Sequence, residues 1–433
     1  MRELRTTERR FAIVIKWFCF IFISCLIYTI VNLRLGNGFF SKHRVSQPVR
    51  QPTVHFGASF AGLESTNMLD TSCRLSTGKP VCCAIFNQNV SDHISIFDEH
   101  SCTTTRLYIP SPFEASQIKL ATFFDSISDL QTRNEVLIKH ITSDEDIFNS
   151  SIWLNRVKYH AQRSRPVDPD EEVLDKYFLS RFHVTRKCQR LPDSSWDEWI
   201  EPITIHARNP FSLLNLPEIN KTELALRHPA SSTNILNTGV INNDFVLLSP
   251  SSKAPRTSKH RNYLFDAGTS TFQSSLWWFT CLYHQQGIFF DEIFGWEYSL
   301  LDPVPFWEEV PALLREKYHF YNTPMTSDLN GGNSPLRMIK SIANENDFVS
   351  FKLDIDSHVV EIPTVLHLLN DKDLHKLVDE FFFEYHFRCE FMMRLGWGSG
   401  MSETFSGEYL RRHDAMLLFQ KLRHLGVRSH FWP

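Results

Sequence analysis

The stretch Phe348–Asp356, FVSFKLDID, decides how this chain reads. It is an apolar, β-prone run that stops on two carboxylates, Asp354 and Asp356. A buried strand that delivers acids at its C-terminal end is how an open α/β sheet presents side chains to a ligand.

The same grammar extends on both sides of this run. From Tyr263 onward short apolar strands alternate with helical patterns, the signature of a parallel sheet. Tyr263–Asp266 reads as a first strand ending on an acid. Leu276, Phe279, Leu282 and Tyr283 then share a helical face that Gly287 closes. Ile293–Glu297 is a second strand, Phe306–Glu316 a helix, and Tyr318–Asn322 a third strand. Leu336–Ala343 is helical, Phe348–Asp354 is the fourth strand, and Val359–Leu369 is helical again. Val378–Glu384 is the fifth strand. An amphipathic helix through Leu410, Leu418, Leu422 and Leu425 ends at Gly426, and Ser429–Trp432 forms one more strand. The expected fold class is therefore α/β, a doubly wound, mostly parallel, Rossmann-like sheet over 262–433. Ser249–Arg261 is a polar linker or surface loop. The region 70–248 reads as irregular α+β, with short strands such as Thr105–Ile109 and Glu135–Ile141, and its fold is left unassigned.

The 433 residues are 42% hydrophobic and 22% charged, enough apolar material for a large core. The net charge of -4 comes without a basic run, which argues against nucleic-acid binding. Phe11–Leu33 is long and apolar enough to span a bilayer, with Lys16 near its N-terminal end, where the stem reaches the interface. Arg2, Arg5, Arg9 and Arg10 precede it, which favours a cytosolic head at 1–10. The expected layout is a type II membrane protein: anchor at 11–33, stem at 34–69, body in the lumen of the Golgi or endoplasmic reticulum. The sequons at Asn89, Asn149 and Asn220 are compatible with that. Four cysteines crowd into Cys73–Cys102, where a local disulfide suits an oxidising lumen. Cys281 and Cys389 read equally well as buried free thiols.

A doubly wound sheet binds its ligand beyond the strand C-termini, where the strand order reverses. The first and fourth strands flank that switch point, and they end at Asp266 and Asp354. The loop Ala267–Thr271 is small enough for a nucleotide or adenosyl group to approach its backbone near Gly268 and Thr269. It holds one glycine and is not a phosphate-cradling loop. Glu297, ending the second strand, would accept both hydroxyls of a ribose. Glu384 and His386 end the fifth strand and, with Asp354 and Asp356, make an oxygen and imidazole set suited to Mn²⁺ or Mg²⁺. His386 also reads as a general base. Trp296 reads as a stacking platform for a purine or sugar, whereas Trp277 and Trp278 read as core.

The phrases LFDAGTSTF, FGWEYS, FVSFKLDID with Glu361 downstream, and VDEFFFEYHF resemble the FkbM-like branch of the S-adenosylmethionine-dependent methyltransferases. The chain is also similar to a group of eukaryotic single-pass membrane proteins that share WIEPITIHARNPF (199–211) and a closing HFWP (430–433). The resemblance implies that Asp266 and Gly268 lie under the methionine part of an S-adenosylmethionine donor, with Thr269 among the cofactor-binding residues. It further implies that Glu297 holds the donor's ribose and that Asp354 lines the pocket near the methyl group. The branch's D-x-E-G-x-E phrase reads here Asp354-Ile355-Asp356-Ser357-His358, with Glu361 displaced. Three functions follow as expectations: O-methylation of a glycan or small molecule, sugar transfer with Asp354 and Asp356 as a D-x-D metal site, or non-catalytic binding on the same fold.

Overall fold

The structure is a computed structural model that describes residues 102–129, scattered positions within 132–161, then 169–188, 192–204, 245–249, 260–386 except 273–274, and 411–432. The expected anchor and stem lie outside these residues. Among the described residues no helix is long and apolar enough to cross a membrane. Leu69–Pro433 cluster as one compact unit.

Six strands form one sheet: β4 (Asn262–Ala267), β5 (Glu292–Trp296), β6 (Tyr318–Tyr321), β7 (Phe348–Leu353), β8 (Glu380–Phe383) and β9 (Arg428–Phe431). Their order is β6-β5-β4-β7-β8-β9, and every neighbouring pair is parallel. Counted from β4, this is the doubly wound order whose switch point lies between the first and fourth strands. Helices cover both faces of the sheet, so its central strands are buried on both. Phe265, Phe351, Phe381 and Phe383 face one core, with Phe419 of α9 (Arg412–His424). Leu264, Phe348 and Phe382 face the other, with Phe279 of α3 (Leu276–Gln285).

Helix boundaries follow local chemistry. Gly287 and Gly426, with φ of 77° and 93°, close α3 and α9 in the left-handed region that favours glycine. The single helix expected over Phe306–Glu316 is instead two, α4 (Pro303–Glu309) and α5 (Ala312–Arg315). Pro311 separates them, because the residue before a proline is pushed to extended backbone, and Val310 has ψ 122°. The helices α6 (Pro335–Ile342), α7 (His358–Asn370) and α8 (Lys372–Leu377) complete this part.

The region left unassigned contributes β1 (Cys102–Ile109), α1 (Pro112–Ser126), α2 (Pro169–Phe178), β2 (Ser180–Cys188) and β3 (Ser194–Ile200). The three strands form an antiparallel sheet in chain order. The strand expected at Glu135–Ile141 is not found: Val136, Lys139 and His140 are helical. Cys188 and Cys281 each form a disulfide, which corrects the free-thiol reading of Cys281.

A buried ionic network joins this region to the parallel sheet. Glu114 of α1 accepts from Tyr108 (2.6 Å), Ser180 (2.7 Å), the Ile203 amide (3.0 Å) and Arg423 of α9 (3.3 Å). Glu201 pairs with Arg423 (3.3 Å) and with His430 of β9 (2.7 Å), and it accepts from the Leu247 amide. His430 also lies 3.3 Å from Glu380 of β8, which pairs with Arg428 and accepts from Tyr283 and the Ser249 amide. All of these charged groups are buried. Burial alone would push His430 down, but Glu201 and Glu380 outweigh it and hold the imidazole above its ordinary value.

Removing one member strands its partners without counter-charge. Arg428→Met should cost about 3–5 kcal/mol in urea unfolding. A raised His430 adds stability that is full below its unfolded value, about pH 6.5, and is lost as pH rises through the folded value. The wild type should therefore lose stability across that interval, and His430→Gln should lack this part of the slope.

Candidate functional site at the switch point

Side chains alternate along a strand, so every second residue shares a face. On the face toward α3 this places Asp266 of β4 beside Lys352 of β7, and the two are paired in register. Lys352 was missed by the sequence reading, which took its strand as simply apolar. Its spacing two residues before Asp354 was the available signal, since it puts both on one face.

Lys352 is buried and fills the switch point. Its Nζ lies 3.0 Å from Asp266 Oδ1 and 3.1 Å from Asp354 Oδ2, and it donates to the Gly268 carbonyl at 2.9 Å. Burial would lower its pKa, but the two carboxylates outweigh it and hold the ammonium well above its ordinary range. Asp266 is fully buried and also accepts from Ser275 Oγ at 2.7 Å. Asp354 accepts from the Trp432 indole at 3.1 Å, and its side chain keeps 23% exposure. Burial, with Glu384 adding to it and Lys352 opposing, pushes the Asp354 carboxyl up to about 7.

The loop after β4 packs on the chain itself. Gly268 has φ 83°, and a Cβ there would fall 1.5 Å from the Asp354 carbonyl oxygen. Glycine is required because the chain just past β7 approaches it here. Thr269 is fully buried and its hydroxyl meets that of Tyr318 at 3.1 Å, so it serves the core rather than a ligand surface. Ser270, at φ 40°, gives its amide to Glu297 Oε2 at 3.0 Å, and the Ser299 amide gives to Oε1 at 2.6 Å. Glu297 is thereby fixed, half-buried, between the loops after β4 and β5. Trp296 is not a stacking platform: it is buried in the core, stacked with Phe265 and Tyr321.

A second group lies beyond β7 and β8. Asp356, Glu384 and His386 present ligand atoms within 4.8 Å of one another, and Asp354, held by Lys352 and Trp432, adjoins this group through Glu384. His386 Nε2 is 3.2 Å from Glu384 and 3.8 Å from Asp356. Burial would lower the His386 pKa, but Glu384 foremost outweighs it and raises it. His358 and Glu361, from the first turn of α7, approach the same imidazole. Glu361 is buried, accepts from the Ile355 amide at 3.0 Å, and is pushed up to about 7 by burial. His358 drew no attention in the sequence, because its role depends on where α7 begins.

No protein-family model, curated protein or solved structure matches the chain.

Lys352→Met leaves Asp266 and Asp354 facing each other with no ammonium between them. Urea unfolding should show a loss of about 3–5 kcal/mol at neutral pH. The loss should shrink as the solution is acidified, because the carboxylates then take up protons.

Proposed function

We propose that the protein is a methyltransferase-like enzyme that methylates an oxygen of a glycan or small molecule. The observation that carries this reading is the sign of the charge at the strand ends. Asp266, Asp354, Glu297, Glu361, Glu384 and Asp356 gather there around Lys352 and two histidines. That environment suits a cationic donor and repels a diphosphate. S-adenosylmethionine, when bound, supplies a methyl group on a positively charged sulfur that departs as a neutral thioether.

The chain's residues fit the nucleoside end of that donor. Glu297 is fixed by two amides at the end of β5 and keeps acceptor capacity for a ribose diol. Asp354 is the better base for the acceptor. It is partly exposed, and a carboxyl near 7 matches the range a general base needs at neutral pH. It would take the acceptor hydroxyl's proton as the oxygen attacks the methyl carbon. His386, whose surrounding acids raise its pKa, serves to hold or orient the acceptor.

Sugar transfer through a D-x-D metal site has less support. Asp354 and Asp356 turn to different partners, Lys352 with Trp432 for one and His386 for the other. We further propose the type II layout, with 11–33 in the membrane and the body in the lumen. The disulfide-bonded Cys188 and Cys281 support it, since such bonds persist in oxidising compartments.

A ligand that binds only the folded state raises its stability by about 2.7 kcal/mol at 100 times its Kd. S-adenosylhomocysteine should raise the melting temperature, and Glu297→Gln should remove most of that shift, measured against the variant's own unliganded melting temperature, which falls because one of the two amides loses its acceptor. A shift with sugar nucleotide and Mn²⁺ alone would overturn the proposal, and a shift with neither would favour a binding role.

A further inference from the structure

We infer that His358, Glu361 and His386 form a divalent-metal site of the two-histidine, one-carboxylate type. It is separate from the D-x-D pair and does not rest on the transferase reading. The three residues offer ligand atoms within 4.8 Å of one another. His358 and Glu361 stand three residues apart in the first turn of α7, a spacing that puts both on one helical face. His386 comes from the segment just past β8, so two parts of the chain close on one point.

A second observation points to a ligand. Glu361 is fully buried, and only one of its oxygens is used, by the Ile355 amide. Its Oε2 has no hydrogen-bond partner and lies 4.0 Å from His358 Nδ1. A buried carboxylate oxygen without a donor is costly, and a cation at that point would satisfy it. Glu384, hydrogen-bonded to His386, matches the outer carboxylate that orients a ligating imidazole. Asp356 belongs to the outer side of the same imidazole, being exposed, and its φ of 54° makes the turn that starts α7 just before His358.

The donor set fixes the class of ion. Two imidazoles and one carboxylate suit Zn²⁺, Co²⁺ or Fe²⁺, whereas Mg²⁺ and Ca²⁺ prefer all-oxygen shells. The test uses the full-length protein in detergent, stripped with chelator and titrated with Co²⁺ and with Zn²⁺. One ion per chain should bind and raise the melting temperature. Glu361→Gln and His358→Ala should each weaken the Kd by no less than the roughly 10-fold to 100-fold that loss of an outer partner costs. Asp356→Asn should change it less. X-ray absorption of the Zn²⁺-loaded wild type needs no variant, and it should show two imidazoles on the ion. No saturable binding, fewer than two imidazoles, or a Kd that follows Asp356 and ignores Glu361 would each overturn the inference. Because no donor is present, these outcomes are independent of the S-adenosylhomocysteine result.

Discussion

The contact on which the rest of the structure depends is the buried meeting of Glu201 and Glu380 on His430. Three elements far apart in the chain have to come together for these charges to be paired. Buried ions cost several kcal/mol each unless their partners are in place. Arg423 and Arg428 complete the neutralisation, and Glu114 extends it into α1 and the antiparallel sheet. The region before residue 249 is thus tied to β8 and β9 by charge as well as by apolar contact. A chain that failed to seat Glu201 would leave Arg423 and His430 facing no acid.

That network also governs the opposite end of the sheet, because strands are stiff rulers. Glu380 is fixed at the start of β8, and the chain just past that strand carries Glu384 and His386. His430 is fixed in β9, and two residues later Trp432 reaches Asp354. Register does the rest. With Asp266 opposite Lys352, the ammonium falls between the two acids that border the switch point. One face of the sheet therefore carries a file of buried polar groups, and the other is aromatic.

The roles of the acids divide by what neutralises them. Asp266 has lysine and a hydroxyl and is fully enclosed, so it holds the loop after β4. Asp354 shares the lysine but keeps an open edge and a neighbouring carboxylate, which is why its proton is held near neutrality. Among the described residues Glu297 has backbone amides and no side-chain cation, so it remains an acceptor at the rim. Glu361 has one amide and an unmet oxygen beside two imidazoles.

The sequence by itself determined the alternation of strands and helices, the order of the acids at the strand ends and the glycines that stop α3 and α9. These are local properties: periodicity, apolar run length and backbone freedom are written in neighbouring residues. It also marked WIEP and HFWP as phrases worth noting without saying why. Only the tertiary structure showed that Glu201 of one meets His430 of the other. Only it showed that Lys352 occupies the switch point, that Gly268 answers to the Asp354 carbonyl, and that Trp296 belongs to the core. Those facts depend on which strands lie side by side and in what register, and pairing between residues up to 229 positions apart leaves no local trace.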